Sequence, residues 1–427
     1  MMSLGNLLRK FVPKSVYARN IITLMTGTTL AQAIPIAISP ILTRLYGPED
    51  FGLFALYMAI VSIVAISVTG RYELAILLPK QDRDGAHIVT LSILLSVVLS
   101  IFLLIIIVIL KKPIIALLGV PAIENWLYWV PASTLLTGIY QSLYYWSNRK
   151  SQYKRISISR TLQNSSISVT QLGSGYLNAP AFGLIGGQLT GQLVSTSALS
   201  KMIWNEDQAI IRKTNKKRLL ILAKRYINFP KFLIVAHTFN VASWQMPVIL
   251  LGALFNTAIA GFYTLTQRVL TAPLVLIATA LGDVFRQEAS HAYAHQGNCK
   301  AIYQKTFKLL FLISALPFFI FFFISPDLFS FVFGDQWRIA GEYAQILTPM
   351  FFFQFITSPL SVMFMIAEKQ RYDLIWQLSL FAVTGASFLI GYFFNNPTLA
   401  LKSFSAGYSF MYTLSGFMTY SFAKNKH

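Results

Sequence analysis

Ile-Leu-Thr-Arg-Leu-Tyr-Gly-Pro-Glu-Asp-Phe-Gly-Leu-Phe-Ala, residues 41–55, joins two long apolar segments of the chain. The connection between these segments is only a few residues long, and Gly47-Pro48 supplies a turn. The chain therefore leaves one membrane span and enters the next almost at once. The stretch predicts a helical hairpin in lipid, because a helix satisfies its own backbone hydrogen bonds where water is absent.

The pattern of this hairpin recurs near the middle of the chain. Matching positions lie at a constant offset of 209 residues, where Leu45, Tyr46, Gly52, Phe54 and Leu56 correspond to Leu254, Phe255, Gly261, Tyr263 and Leu265. The offset is close to half of the 427 residues, as a two-fold internal repeat requires. Chance similarity between two apolar hairpins is the alternative.

Composition places the chain among membrane proteins. Hydrophobic residues make up 55% of the sequence and charged residues 12%, so a soluble fold would expose too much apolar surface. A helical span needs about 20 mostly apolar residues. Stretches that meet this need lie near 21–45, 51–77, 86–110, 126–147, 157–178, 182–203, 231–252, 258–284, 307–332, 342–367, 373–394 and 398–423. The prediction is an all-α polytopic membrane protein with about 12 transmembrane helices.

The basic residues predict the orientation of these spans. Of the 35 Lys and Arg residues, 28 fall in segments that share one side of the membrane when the N-terminus is inside. Because such an excess marks the cytoplasmic side, both termini are predicted to be cytoplasmic. The formal charge of +20 then reflects topology and attraction to anionic lipid, and nucleic-acid binding is not expected.

The longest polar connection divides the predicted spans into two sets of six. It covers residues 205–230 and contains the basic run Arg212-Lys213-Thr214-Asn215-Lys216-Lys217-Arg218. We therefore expect a six-helix bundle over residues 1–204, a cytoplasmic basic linker over 205–230 and a second six-helix bundle over 231–427. The linker is predicted to form a surface helix on anionic headgroups.

Polar side chains inside the predicted spans are the candidates for binding cargo. The first span carries Gln32 and the seventh carries Asn240 and Gln245, each close to prolines that break helices beside cavities in transporters. The fifth span is too polar to face lipid on all sides, and Gln163 and Asn164 lie at its centre. The sixth span has small residues at Gly183, Gly187 and Gly191, a spacing that favours close helix packing, with Gln188 and Gln192 beside them.

Arginines within the spans suggest an anionic cargo. Arg268 lies seven residues after Gly261, about 10 Å inside its span, where a charge facing lipid is costly. We expect it to contact an anionic substrate, and a structural ion pair is the alternative. Arg44, at the outer end of the first span, is a second candidate unless it simply reaches the interface.

A group of charged residues lies at the inner ends of two spans. Arg71 and Glu73 end the second span, and Asp283 occupies nearly the same depth in the second half of the chain. One interpretation is an ion pair or a side chain that reaches the cytoplasmic surface. The other is an inner gate or a coupling-cation site formed by Glu73 and Asp283, with Arg71 contacting cargo.

The sequence gives little support for an enzyme. Asp82-Arg83-Asp84 has the D-x-D spacing of metal-dependent glycosyltransferases but lies in a tight turn with no catalytic domain behind it. Glu288, His291 and His295 have metal-compatible spacing in a solvated segment, where a surface role is the simpler interpretation. No nucleophile triad or nucleotide-binding loop is present, so we predict no catalytic residue, metal site or cofactor, and transport driven by an H⁺ or Na⁺ gradient, the substrate gradient or the membrane potential.

Three stretches together resemble one family. Leu42-Thr43-Arg44-Leu45-Tyr46-Gly47-Pro48-Glu49-Asp50-Phe51-Gly52, Arg71-Tyr72-Glu73 and Phe333-Gly334-Asp335-Gln336-Trp337-Arg338-Ile339-Ala340 are similar to segments of the bacterial polysaccharide-biosynthesis transporters, the Wzx-type O-antigen and capsule flippases. The resemblance extends over essentially the whole chain, including span number and orientation. These motifs mark the family better than they mark the cargo.

The resemblance implies a fold and a cargo. The fold is that of the MATE exporters and lipid II flippases of the MOP superfamily, with two six-helix bundles around a central cavity that opens alternately to the two faces. The cargo is an undecaprenyl-pyrophosphate-linked oligosaccharide, turned from the cytoplasmic to the periplasmic leaflet of the bacterial inner membrane. Its implied partners are membrane lipids, a polysaccharide polymerase and chain-length proteins. Arg268 best fits contact with the pyrophosphate or acidic sugars, followed by Arg44 and Arg71.

Other classes of function stay open at this point. A MATE-type cation-coupled drug or metabolite exporter shares the architecture. A membrane-embedded glycan polymerase or ligase is less consistent with the short outer loops, and a scaffold would leave Arg268 and the polar fifth span unexplained. Within the flippase class, O-antigen and capsule glycans, neutral or acidic, remain alternatives.

Overall fold

The computed structural model describes residues 34–177, 179–211 and 215–424, and in these residues the chain is helical without a β-strand. This confirms the predicted all-α class. Gln32 and the start of the first predicted span lie outside the described residues.

The first half of the described chain forms long helices joined by short connections. They are α1 (Ile34–Leu45), α2 (Pro48–Ala65), α3 (Asp82–Leu118), α4 (Val130–Arg149), α5 (Tyr153–Tyr176), α6 (Pro180–Ile211) and the short α7 (Lys216–Arg225). Between α2 and α3 lies a 3₁₀ segment, Tyr72–Leu77, and between α3 and α4 lie Pro121–Ile123 and a four-residue helix, Glu124–Leu127.

The second half continues in the same way. Its helices are α8 (Ile234–Leu254), α9 (Thr257–Pro273), α10 (Thr279–Gln296), α11 (Lys300–Phe333), α12 (Arg338–Thr357), α13 (Gln370–Phe393) and α14 (Pro397–Lys424). π-Helical segments, Phe229–Leu233 and Leu274–Ala278, precede α8 and α10. A 3₁₀ turn, Asp335–Trp337, precedes α12, and Ser358–Val362 and Met363–Ile366 follow it.

The helices agree with the predicted spans along the chain. Within the described residues, six helices are long and apolar enough to cross a bilayer by length and composition alone. The more polar helices, such as α5 and α6, overlap the remaining predicted spans from the fourth to the twelfth. The chain is a multi-pass membrane protein, while the number of crossings and the side of each terminus stay predictions.

The second predicted span, 51–77, is interrupted. Helix α2 ends at Ala65, and two consecutive residues, Gly70 and Arg71, adopt left-handed backbone conformations with φ of 62° and 58°. Arg71 pays a steric cost there that glycine avoids. The helical rise therefore does not measure the depth of Arg71 or Glu73, whereas Asp283 follows α9 through a continuous helical run.

Contacts between Cα atoms divide the chain into two compact units. The first unit consists of the described residues up to Tyr46, Tyr57–Leu117 and the described residues of Pro121–Trp244. The second unit consists of Gly47–Leu56, Leu118–Val120 and the described residues from Gln245 onward. The chain thus passes from one unit to the other within α2 and within α8. The boundaries of the predicted bundles differ from those of these units, and the described residues of the predicted linker belong to the first unit.

Helices α5 and α6 form the most extensive helix pair of the first unit. A Cβ at Gly187 would lie 2.6 Å from the Gln171 side chain, and a Cβ at Gly191 would lie 2.8 Å from the Gln163 carbonyl oxygen. Gly183 faces the hydroxyl of Tyr46. The predicted packing role of these glycines is confirmed, because an added Cβ at each position would lie too close to an atom of a neighbouring segment.

The predicted linker is attached to the first unit through α7. Leu222 is buried in a core cluster with Trp146. Arg218 donates from Nε and Nη2 to the two carboxylate oxygens of Asp84, at 2.8 and 2.7 Å, and the Tyr72 hydroxyl donates to the Ala223 carbonyl at 2.9 Å. Helix α7 is therefore a docked element of this unit.

In the second unit, the starts of α2 and α9 cross at the repeated motif. The helices begin at Pro48 and Thr257, which are 209 residues apart like the matched glycines. A Cβ on Gly52 would overlap the Thr257 carbonyl oxygen, and a Cβ on Gly261 would overlap the Pro48 carbonyl oxygen. The crossing is reciprocal, as expected for two copies of one motif.

The aromatic residues of the family-like motifs meet at this crossing. Phe51 packs edge-on against Trp337, with ring centroids 4.9 Å apart, and Phe262 packs on the same tryptophan at 5.8 Å. Trp337 is fully buried and belongs to the Phe333–Ala340 stretch. Two motifs that are far apart in sequence thus build one core.

Cys299 is expected to resist thiol reagents in the folded protein. Its side chain is buried, with Sγ 3.5 Å from the Met363 sulfur, and burial raises the pKa of the Cys299 thiol to about 11. Maleimide at neutral pH should therefore leave native protein unlabelled and label it stoichiometrically after unfolding in SDS. Rapid labelling of the native protein would contradict this placement.

Candidate functional site

A polar cavity of about 230 Å³ lies inside the first unit. It is partly open and is formed by four helices, with Ser62 from α2, Thr137 and Tyr140 from α4, Gln163 from α5 and Gln192 from α6 as polar lining residues. Apolar residues, namely Met58, Val61, Ala65 and Leu136, also line the wall. Ser195 and Thr196 complete its polar wall. All of its lining residues are uncharged, so the cavity offers neutral hydrogen-bond donors and acceptors within a membrane protein.

Gln192 gives this cavity an unused hydrogen-bonding group. Its amide nitrogen donates to the Thr137 hydroxyl at 3.3 Å, while its Oε1 is buried and has no partner among the described residues. A buried acceptor without a donor carries a desolvation cost of about 1–3 kcal/mol. A bound hydroxyl or water would satisfy it.

Helix packing fixes the position of the two glutamines. Gly191 lets α6 approach α5 at Gln163, and this close approach brings Gln163 and Gln192 to one cavity. On the α4 side, the Tyr140 hydroxyl pairs with the Ser159 hydroxyl at 3.1 Å. The cavity therefore depends on the small residues of α6.

A buried charged cluster forms a second candidate site in the first unit. Glu73 is 1% exposed and Arg71 is 9% exposed, and Arg71 Nη1 donates to Glu73 Oε1 at 3.1 Å. Thr69 also donates to Glu73, and Arg71 Nη2 contacts Nδ1 of His237, near the start of α8. A guanidinium only donates, so the His237 ring can accept from Arg71 at this contact.

This cluster combines two features that need support from surrounding structure. Arg71 holds a left-handed backbone conformation, and its Nε is buried without a partner in the described chain. Such strain and unsatisfied polarity persist where packing over-determines them, often at switch regions. The cluster is thus a candidate for the predicted gate, with Glu73 paired to Arg71.

The remaining predicted side chains do not line the polar cavity. Their exposure differs: Arg44, Asn240 and Asp283 are exposed, whereas Asn164, Gln245 and Arg268 are half-buried. Glu73 and Asp283, predicted as equivalents, therefore have different surroundings. Their roles, and that of Arg268 on α9, stay predictions.

Sequence reasoning missed several partners of these sites. Tyr140 and Thr137 lie on α4, which carried no predicted site residue, and His237 lies on α8 three residues before the predicted Asn240. The Gly191 spacing was the available signal for the neighbourhood of Gln192. Nothing in the local sequence connects His237 to Arg71, which is 166 residues away.

The two sequence patterns considered for an enzyme have simpler structural explanations. The first forms ion pairs, and the second is exposed to solvent. Asp82 accepts from Arg149 at 2.9 Å and Lys150 at 2.8 Å, while Asp84 is bound by Arg218. These ion pairs hold the pKa of both carboxyls below the usual range at the solvated end of α3. Glu288, His291 and His295 are exposed on α10. In the described part of the chain, no three His, Cys, Asp or Glu side chains are grouped to hold a metal.

Comparison with known protein families shows which family the sequence matches. Residues 41–342 match the family described as polysaccharide biosynthesis protein. No curated protein sequence matches the chain.

Solved structures share the fold over nearly the whole chain. A multidrug resistance MATE family transporter of the MOP superfamily, in an inward-facing conformation, superposes with a TM-score of 0.72 at 12% identity, covering 94% of this chain and 97% of that one. The lipid II flippase MurJ, inward closed, gives 0.71 at 13% identity, covering 93% and 87%. A MOP superfamily transporter from Pyrococcus furiosus gives 0.61 at 13% identity, covering 94% and 93%. At such identities these likenesses establish the MATE-like fold alone.

Proposed function

The chain belongs to the polysaccharide biosynthesis protein family, and on that premise we propose that it turns an undecaprenyl-pyrophosphate-linked oligosaccharide from the cytoplasmic to the periplasmic leaflet of the bacterial inner membrane. Family and fold support a membrane transporter of the flippase type. The lipid-linked cargo, its direction and its use in O-antigen or related glycan assembly are the proposal.

The uncharged polar cavity is the observation that supports a glycan most directly. Moving sugar hydroxyls through hydrocarbon requires replacement of the hydrogen bonds they make to water. Gln163, Gln192 and the surrounding hydroxyls supply such bonds, and the unpartnered Oε1 of Gln192 can accept one from a sugar. The cavity is smaller than the roughly 300–1,000 Å³ typical of drug pockets, so it fits a single sugar unit better than a whole oligosaccharide.

The same cavity argues against a cationic drug as the cargo. A cation buried in an apolar environment needs a carboxylate or an aromatic cage. The residues lining this cavity include neither an acid nor such a cage. The drug-exporter alternative is therefore less favoured by the first unit.

The charged groups divide between two proposed roles. Arg71 is engaged by Glu73 and His237, which suits a gate or a coupling site more than cargo binding. Arg268 is half-buried on α9, and we assign it the contact with the pyrophosphate. Arg44 is exposed and is a secondary candidate for an acidic sugar.

Leaflet accessibility of the lipid-linked oligosaccharide in proteoliposomes tests the proposal. Wild-type protein should move the cargo, and a proton or sodium gradient should change the rate. Gln192→Leu and Gln163→Leu should lower the rate about five- to tenfold through a lost hydrogen bond to a sugar, and Arg268→Ala should lower it more, since bonds to charged groups are stronger.

Gln377→Leu is the matched control for the glutamine variants. Gln377 is an exposed amide on α13 that bonds to Asp373, so its loss should leave transport unchanged. Equal rates in Gln377→Leu and Gln192→Leu would remove the polar cavity from the cargo route. Two results together would establish drug export instead. Folded wild-type protein would move no lipid-linked glycan under any gradient, and deletion of the protein would sensitise cells to cationic dyes.

A further inference from the structure

The second unit contains a larger groove of different chemistry. It has a volume of about 470 Å³ and is formed by α11, α12 and α14. Its wall is mainly aromatic, with Phe307, Phe311, Phe352, Phe353 and Phe417 among its lining residues. Along α11 the lining runs from Tyr303 to Phe311, a length of about 12 Å at the helical rise. An apolar chain of this length fits such a groove.

One end of the groove is polar. The Gln304 amide donates to the Tyr420 hydroxyl at 3.0 Å, and both residues line the groove. The Tyr303 hydroxyl pairs with Thr419 at 2.9 Å. The groove therefore has a head end, beside the start of α11 and the end of α14, and an apolar tail end.

Two lysines continue the groove-lining faces beyond this head end. Lys300 lies four residues before Gln304 on α11, and Lys424 lies four residues after Tyr420 on α14, so each is one turn further along the same face. Both lysines are exposed, and Lys424 Nζ lies 4.5 Å from the centre of the Tyr420 ring.

A backbone hydrogen bond brings the two lysines to one place. The amide of Cys299 donates to the carbonyl of Ala423 at 2.9 Å, and these residues directly precede Lys300 and Lys424. The two lysines therefore extend from neighbouring points of the backbone beside the head end of the aromatic groove. The sequence predicts that this end of the unit faces the cytoplasm, where anionic lipids bind basic pockets between helices.

We propose that this groove is a binding site for one anionic phospholipid of the cytoplasmic leaflet, with an acyl chain along α11 and its phosphate between Lys300 and Lys424. The basic end selects an anionic headgroup, and the aromatic wall selects a flexible hydrocarbon chain. The site uses no residue assigned to the glycan cargo. Its failure would leave the proposed flippase function untouched.

Lipid binding to purified, delipidated full-length protein tests the site. Native mass spectrometry would compare phosphatidylglycerol, phosphatidylcholine with the same acyl chains, and undecaprenyl phosphate. Phosphatidylglycerol should bind about tenfold more tightly than phosphatidylcholine, because its headgroup has a net negative charge, whereas the quaternary ammonium of phosphatidylcholine offsets the charge of its phosphate. Lys300→Gln/Lys424→Gln should remove this preference.

Matched variants separate the groove from general surface charge. Lys305→Gln/Arg371→Gln removes the same charge from exposed positions that do not line the groove, and it should keep the preference. Thr413→Trp fills the groove from α14 and should weaken binding of both phospholipids. Equal affinity for the two phospholipids, an equal loss in the control pair, or binding of undecaprenyl phosphate alone would overturn the proposal.

Discussion

Alanine in place of Gly52 or Gly261 is expected to prevent accumulation of folded protein. Each added Cβ would overlap a carbonyl oxygen, of Thr257 or of Pro48, across the crossing of α2 and α9. A backbone carbonyl group cannot move aside to relieve this overlap, whereas the end of a long side chain could. The two helices would have to separate.

Separation of these helices would disturb more than the glycines. Phe51 and Phe262 both pack on the buried Trp337, so the aromatic core of the second unit would open with the crossing. Overpacking typically costs about 1–3 kcal/mol and sometimes more. We expect the upper end of this range or beyond, which is a large part of the stability of most proteins.

Fluorescence-detected size-exclusion chromatography of detergent extracts would measure the effect. Gly173→Ala is the matched control, since Gly173 is an exposed helical glycine whose added Cβ has no atom within 4 Å. That change should be neutral or slightly stabilising. A monodisperse Gly52→Ala protein with the melting temperature of wild type would refute the close crossing.

Glu73→Gln is expected to destabilise the first unit and to stop transport. The change leaves the buried guanidinium of Arg71 without its carboxylate, and breaking one side of a buried pair costs about 3–5 kcal/mol. The neighbouring His237 cannot replace the lost carboxylate, because an imidazole side chain is neutral or positively charged.

The double variant Arg71→Gln/Glu73→Gln separates stability from function. Removal of both charges avoids the unpaired ion, so we expect most of the lost melting temperature to return. Transport in proteoliposomes should stay low and should no longer respond to a proton or sodium gradient. A double variant that is stable and transports with the gradient response of wild type would show that the cluster is structural only.

Several features followed from the sequence because they depend on local composition. The length of each apolar stretch, together with the need to hydrogen-bond the backbone in lipid, predicts a helix at each described span. Helices α2 and α9 begin 209 residues apart, which is the offset of the predicted repeat. Gly183, Gly187 and Gly191 were recognisable as packing positions because the spacing of small residues alone lets helices approach.

The sequence was less informative where the helical period breaks. An apolar run such as 51–77 has the composition of one span, yet the chain leaves the helix after Ala65 and turns at Gly70 and Arg71. Hydropathy does not detect this break, because apolar residues such as Val68, Ala75 and Ile76 continue after it. The ion pair of Arg71 and Glu73, two residues apart, exists because of that turn.

The sequence by itself determined the class, the helices and the candidate polar residues, and it predicted the repeat. Only the tertiary structure decided which residues meet: Gln163 with Gln192 in one cavity, Arg71 with His237, and Lys300 near Lys424. The physical reason is that hydropathy and backbone hydrogen bonding act along each helix. The choice of neighbour depends on close packing between helices that are distant in sequence, which no local pattern records.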